Sequence, residues 1–309
     1  MKKYLIILLG PTGVGKTDLS ISLAQKYSTE IISSDSRQFY KELCIGTAVP
    51  EKKQLQAVKH HFIQFISVTD YYNASMFEFD AVAELEKLYK KHDVVFMVGG
   101  SGMYIDAVCK GIDDIPDIDM ELREDLSKRI KNEGLESLRA ELKKVDPDFY
   151  ATADLKNTQR ILRAMEVYIQ TGKSFSSFRT QQQKKRPFEI IKIGLNRDRK
   201  ELYERINSRV DKMIVDGLES EAKNVEKHRN NYALKTVGYR EFFDYFDGKT
   251  TKDAAIKMIK QNTRRYARRQ LTWFRRDTQI QWFHPEDTEA IYLCLVNALQ
   301  ATHHNKKTK

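Results

Sequence analysis

The chain has 309 residues, 41% hydrophobic and 31% charged, which excludes a disordered polypeptide and leaves length for one large domain or two. Its net charge of +10 points to an acidic partner, nucleic acid ahead of a membrane surface. Cys44, Cys109 and Cys294 are scattered with no C-x-x-C pair, which argues against a disulfide framework or a zinc site and fits a reducing cytosol.

The first element is the apolar run YLIILL at Tyr4–Leu9, read as a buried strand. It is too short for a signal peptide and runs into a glycine loop, not a small-residue cleavage site. No stretch is long enough to span a bilayer. The loop is GPTGVGKT: Gly10, Pro11, Thr12, Gly13, Val14, Gly15, Lys16 and Thr17. It fills the pattern G-x-x-x-x-G-K-S/T, whose backbone amides cradle phosphates while the lysine reaches the terminal phosphates and the hydroxyl ligates Mg²⁺. A helix follows in TDLSISLAQKYS, then a second strand in EIIS at Glu30–Ser33 and a third in DVVFMVGG at Asp93–Gly100. Alternating strands and helices predict a parallel, doubly wound sheet with ligands at the carboxyl ends of its strands.

From about Gly111 the texture turns charged and helical. Asp119 and Asp146, the latter before Pro147, are helix starts, and Gly172 is a stop. The segment FEIIKIGLN returns to the sheet, and QIQWFHP at Gln279–Pro285 supplies a late strand. The expected organisation is therefore an α/β core from 1–111 plus 189–309, with a mainly helical insertion at 112–188. The tail from His303 is expected to be disordered, with its histidines solvated.

Several residues suggest chemistry. The third strand ends in glycines and carries its aspartate, Asp93, at its start, so the Mg²⁺-holding carboxylate of NTP hydrolases has no counterpart there. Asp35, just past the second strand, is either a general base or a helix cap. In Ala255–Arg276, the residues Ala255, Met258, Ile259, Tyr266, Ala267, Leu271 and Phe274 mark a buried helical face. Lys257, Lys260, Arg264, Arg265, Arg268, Arg269, Arg275 and Arg276 fall opposite, with only Asp277 nearby to neutralise them. A stripe of one sign suits a phosphate backbone better than a solvated face of mixed charge. Arg160 and Arg163 could project together from the insertion, and Arg205 and Arg209 share a helical face, but from the residues alone surface salt bridges are the favoured reading of both pairs; His60 and His61 read as structural.

Together GPTGVGKT, SSDSRQFY, IGTAVP, VGGSGMYI, QRILRAMEVY, RINSRVDKMI, VGYREF and TRRYARRQLTWFRR resemble the tRNA dimethylallyltransferases, or tRNA isopentenyltransferases, in order and over nearly the whole chain. Ser34 and Ser101 depart from the more common alanine and threonine.

The resemblance implies a P-loop NTPase-like core and transfer of a dimethylallyl group from its diphosphate to N6 of adenine 37, 3′ of the anticodon. The tRNAs concerned read codons beginning with U. It implies Mg²⁺ held at Thr17, and a cytoplasmic, monomeric enzyme that binds the anticodon stem-loop and no membrane. Asp35 would take the N6 proton, Thr12 would bond near the reacting centre, and Arg209 would steady the departing diphosphate. Asp35, Ser36, Arg37, Gln38, Ser101, Arg123, Gln159, Arg160, Ile161, Leu162 and Arg163 match tRNA-contacting positions, and Arg264, Arg265, Arg268 and Arg269 would grip the backbone. ATP binding is suggested by the loop pattern alone. A prenyltransferase of free adenine nucleotides, an ATP-dependent kinase and a non-enzymatic RNA-binding protein account for fewer of these features.

Overall fold

The computed structural model describes residues 2–117, 119–180 and 182–304. Tyr4–Leu9 has no polar alternation, so it must be covered on both faces. It is strand β1, with every residue at most 3% exposed. The other strands are β2 (Ile31–Ser33), β3 (His60–His61), β4 (Val94–Gly99), β5 (Glu189–Leu195) and β6 (Gln281–Phe283). They form one parallel sheet in the order β3-β2-β4-β1-β5-β6. The chain thus builds outward from β1 in both directions, and the ends of β1, β2 and β4 converge where a doubly wound sheet binds ligands.

The strands expected from the sequence all form: the first keeps its expected bounds, the next three lose one or two residues, and the last is shorter by two at each end. Strand β3 was not expected, because two histidines on a sheet edge carry no apolar signal. Their structural reading fits: His60 Nδ1 lies 2.8 Å from the Val58 carbonyl oxygen, and His61 Nε2 lies 2.7 Å from Glu30. The C-terminal helix, Thr288–His304, takes in His303 and His304, where disorder was expected; residues 305–309 lie outside the described residues.

The chain divides into two compact units, Met1–Lys110 with Lys185–Lys309, and Gly111–Lys184. In the first, β1 and β5 pack with the loop helix Lys16–Lys26 through Ile6, Leu8, Val14, Leu19, Leu23 and Ile193. The second has five helices among its described residues, closed around Leu126, Leu138, Leu142, Phe149, Ile161, Leu162 and Met165. Asp119 caps its first helix, accepting from the Glu121 and Leu122 amides. Asp146 accepts from the Phe149 amide with one oxygen and the Ser176 amide with the other. Gly172 ends the long helix Thr158–Thr171 in the left-handed conformation at φ 69°.

Candidate active site

The phosphate loop leaves β1 and enters its helix at Gly15, whose φ of 109° lies in the left-handed region that suits glycine. Four of its carbonyls are held by basic side chains. Arg205 Nε donates to Gly13 O at 3.1 Å and Arg197 Nε to Val14 O at 2.9 Å. Lys16 Nζ takes the Gly10 and Pro11 carbonyls at 3.0 and 2.9 Å. Burial, reinforced by Arg209, lowers the Lys16 pKa to about 8, against the opposing pull of Asp35. Arg209 is likewise lowered by burial and by Arg205, with Asp35 opposing.

Two cavities meet at the carboxyl edge of the sheet. A groove of about 900 Å³ runs along the loop past Gly13, Gly15, Lys16, Thr17 and Gln38. A cavity of about 450 Å³ lies beside it, lined by Ser36, Arg37, Ser101, Met103, Tyr266, Arg269 and Trp273. Thr12, Asp35, Arg209, Met213 and Gln270 line both. The three residues assigned to catalysis from the family resemblance therefore stand on the border between a phosphate groove and a mixed polar and aromatic cavity.

Asp35 owes its place to the turn after β2. Its carboxylate accepts the Arg37 amide at 3.1 Å, a local turn and not a helix cap, since no helix starts there. Ser101 bonds the Ser36 amide and hydroxyl, both at 3.0 Å, tying the end of β4 to this turn. Tyr266 closes the set through Ser101; burial and the nearby Asp35 charge push its phenol up to about 12. Gln38 donates to the Thr47 and Ala48 carbonyls, and Arg37 to the Tyr232 and Ala233 carbonyls.

The basic helix, Lys252–Phe274, corrects several expectations. Ala255, Ile259, Ala267 and Phe274 are buried, but Met258 is 45% exposed. Asp277 pairs with the buried Lys192 at 2.6 Å and leaves the stripe unneutralised; Asp211 instead pairs with Lys260 at 2.6 Å. Arg264 is half-buried, donating to Asn207 at 2.6 Å. Arg269 faces the smaller cavity, its guanidinium 5.8 Å from the Tyr266 ring centre. Arg265, Arg268, Arg275 and Arg276 face solvent. Among the described residues neither Arg205 nor Arg209 joins an ion pair, so the salt-bridge reading of that pair fails.

In the second unit, Arg123 and Arg163 flank the buried Glu166 at 3.2 and 3.7 Å. Ile161 and Leu162 are core residues at 0% and 3% exposure. Their side chains are covered, so of that segment Gln159 and Arg160 are exposed, while Arg163 turns onto Glu166 and the Pro116 carbonyl.

Sequence reasoning missed Gln270 and Glu221. Gln270 is a lone polar residue on the buried face of the basic helix, and that misfit was the available signal. Glu221 accepts the amides of Cys44, Ile45 and Gly46 at 2.8–2.9 Å and the Tyr239 hydroxyl at 2.7 Å. No local pattern announced that contact.

A phosphate loop on a parallel sheet, opening beside a second cavity with a carboxylate at the border, defines a P-loop NTPase-like fold adapted to group transfer. The chain belongs to the IPP transferase family, whose family model matches residues 38–277. It is 55% identical over 289 residues to tRNA dimethylallyltransferase 1 of Bacteroides fragilis, covering 94% of this chain and 96% of that protein. It is 53% identical to tRNA dimethylallyltransferase 1 of Phocaeicola vulgatus, covering 96% and 100%. The full-length tRNA isopentenylpyrophosphate transferase of Bacillus halodurans superposes with a TM-score of 0.73 at 32% identity, covering 99% and 100% of the two chains. A eukaryotic dimethylallyltransferase acting on tRNA gives 0.75 at 26% identity, covering 88% of this chain and 70% of that one.

Proposed function

We propose that this chain transfers the dimethylallyl group of dimethylallyl diphosphate to N6 of adenine 37 in cytoplasmic tRNAs that read codons beginning with U. The observation that carries this reading is the border of Thr12, Asp35 and Arg209 between the two cavities. A diphosphate on the loop places its ester end at that border, and an acceptor base in the smaller cavity meets it there.

The exocyclic amine of adenine is a poor nucleophile, because its lone pair is delocalised into the ring. Reaction needs strong stabilisation of the leaving group. Lys16 and the loop amides hold the diphosphate, and Arg209 meets the charge that develops as the allyl C–O bond breaks. Asp35 accepts the N6 proton as the C–N bond forms, and the Thr12 hydroxyl steadies the reacting end. The donors along the groove include the Thr17 hydroxyl and the Asp18 and Asp35 carboxylates, hard oxygens that suit Mg²⁺. Thr17 would hold the ion, which when bound neutralises diphosphate charge.

An adenine stacked in an anticodon loop cannot enter a cavity, so it must be flipped out, at a cost of about a few kcal/mol. Tyr266 and Trp273 supply aromatic surface for it, and Arg265 and Arg268 supply charge for the backbone. On the second unit, taken by itself, Arg123, Gln159, Arg160 and Arg163 are the candidate polar contacts to tRNA.

The test is mass analysis of tRNA after incubation with dimethylallyl diphosphate and Mg²⁺, with ATP as an alternative donor. A single dimethylallyl addition at adenine 37, lost when that base is replaced, is expected. Phosphoryl transfer from ATP, or preferred prenylation of free AMP, overturns the reading.

A further inference from the structure

We propose that Gln270 is a positioning residue that partitions the two cavities and aims Thr12 at the reacting centre. Gln270 is only 6% exposed, and it is the one polar residue among the buried positions of its helix. Its side-chain carbonyl accepts the Thr12 amide at 2.9 Å, and its side-chain amide donates to the Gly100 carbonyl oxygen at 2.9 Å. One side chain thus ties the loop after β1 to the end of β4 and exhausts both of its functional groups in doing so.

The space around it is shaped for this contact. A Cβ on Gly100 would lie 2.2 Å from Gln270 Nε2 and 3.2 Å from the Gly10 carbonyl oxygen. Glycine at 100 therefore serves the close approach of the Gln270 amide, while glycine at 99 serves the close approach of Ser34. Gln270 also lines both the phosphate groove and the smaller cavity, so its amide forms part of the wall between them.

Two consequences follow from that placement. The Thr12 amide, engaged by Gln270, is withheld from the phosphates, and the Thr12 side chain is fixed at the border. The wall also keeps water of the phosphate groove away from the allylic carbon. When the wall is breached, the C–O bond to diphosphate breaks with its electron pair. The allyl carbon then bonds a water oxygen in place of N6, and the water proton passes to solvent.

The proposal rests on the transfer reading above for its kinetic arm, while its structural arm is independent of it. The kinetic arm uses Gln270→Met, which keeps length and removes both hydrogen bonds. Expected is a fall in kcat of about tenfold to a hundredfold, the order that a displaced reacting group produces. The KM for dimethylallyl diphosphate and the affinity for tRNA should stay within about twofold, a range corresponding to negligible binding energy. More diphosphate should be released than adenine prenylated. A kcat within twofold of wild type overturns the proposal, as does a loss confined to KM or tRNA affinity with release and prenylation still equal. The structural arm is amide hydrogen exchange of the unsubstituted protein. Slow exchange at Thr12 relative to Gly13 supports the strut, and equally fast exchange overturns it, whether or not the variant folds. A wild-type protein that leaves tRNA unmodified removes the transfer reading, and the exchange result then decides the strut alone.

Discussion

Lys16 turns its ammonium back on its own loop and donates to the Gly10 carbonyl oxygen at 3.0 Å. Together with the Pro11 carbonyl, this neutral pair is a weak substitute for the water the ammonium has lost. That loss is why burial dominates its shift to about 8. An arriving diphosphate supplies the negative charge that the protein withholds. Lys16 is thus a charged donor held by neutral carbonyl contacts alone.

Proton linkage at this lysine should therefore be measurable. In the free protein Lys16 loses its proton near pH 8, and a diphosphate beside it holds the ammonium charged. Between pH 8 and the ordinary lysine value of 10.5, binding must draw a proton from solution, and affinity must fall as pH rises through that window. Stability of the free protein moves the other way. The depressed folded value means that charged Lys16 is a cost below pH 8, relieved as pH rises toward 10.5. Calorimetry in buffers of different ionisation enthalpy should show proton uptake on diphosphate binding above pH 8 and none well below it. Lys16→Met should abolish the uptake.

Asp35 and Arg209 stand on the same border but should fail differently. Asp35→Asn removes the proton acceptor while keeping size and the Arg37 amide contact. Turnover should fall about 10²–10⁴-fold, the usual worth of general base catalysis, with tRNA affinity retained. Arg209→Gln removes a donor aimed at the departing diphosphate, with an expected loss of about 10²–10³ in kcat. A good test is single-turnover prenylation at saturating tRNA with tRNA binding measured separately, in which both rates should fall while binding holds.

Much of this was legible in the sequence because the relevant signals are local. YLIILL with GPTGVGKT announces a strand, a loop and a helix, and DVVFMVGG announces another buried strand; both are contiguous patterns with a physical meaning. Asp146 before Pro147 and Gly172 announce helix ends for the same reason. What escaped was long-range. Gln270 reaches Thr12 across 258 positions, and Glu221 reaches Gly46 across 175. Helical periodicity assigned Met258 to the core because it counts residues every three or four without knowing how wide the covered face is. Asp277 was assigned to the arginine stripe by proximity in sequence, while Lys192 on β5 holds it.

The exposed part of the basic helix should govern the salt dependence of tRNA binding. Arg265 and Arg268 have no ion pair among the described residues and face solvent. Each phosphate they neutralise releases counterions, so binding should weaken steeply with salt. Contacts to roughly six to ten phosphates correspond to a loss of about 10³–10⁵ between 50 and 200 mM salt. Arg265→Gln with Arg268→Gln should flatten the slope by about one to two units, measured by filter binding or anisotropy, and leave kcat at saturating tRNA unchanged. An unchanged slope would assign the phosphate contacts elsewhere.

Glu221 should be a determinant of stability and of loop order. Its carboxylate fills a nest of three successive amides, from Cys44 to Gly46, and takes the hydroxyl of the fully buried Tyr239 as well. The phenol pKa is raised by burial and by that carboxylate, so Tyr239 is the donor throughout the physiological range. Glu221→Ala leaves the nest without its acceptor, and each amide that stays buried and unpaired costs about 1–3 kcal/mol. The Cys44 contact is exposed, so denaturant unfolding should show a loss of at least about 2 kcal/mol from the other two amides if they stay dry, falling to about 1 if water enters. Cys44 and Ile45 line the phosphate groove, so the second case should also raise the KM for the prenyl donor. Tyr239→Phe removes a single hydrogen bond and keeps the ring, so its cost should be about 1 kcal/mol with KM unaltered. A variant pair in which the phenylalanine is the more damaging would mean that the Tyr239 hydroxyl, and not the carboxylate's contact with the three amides, orders this loop.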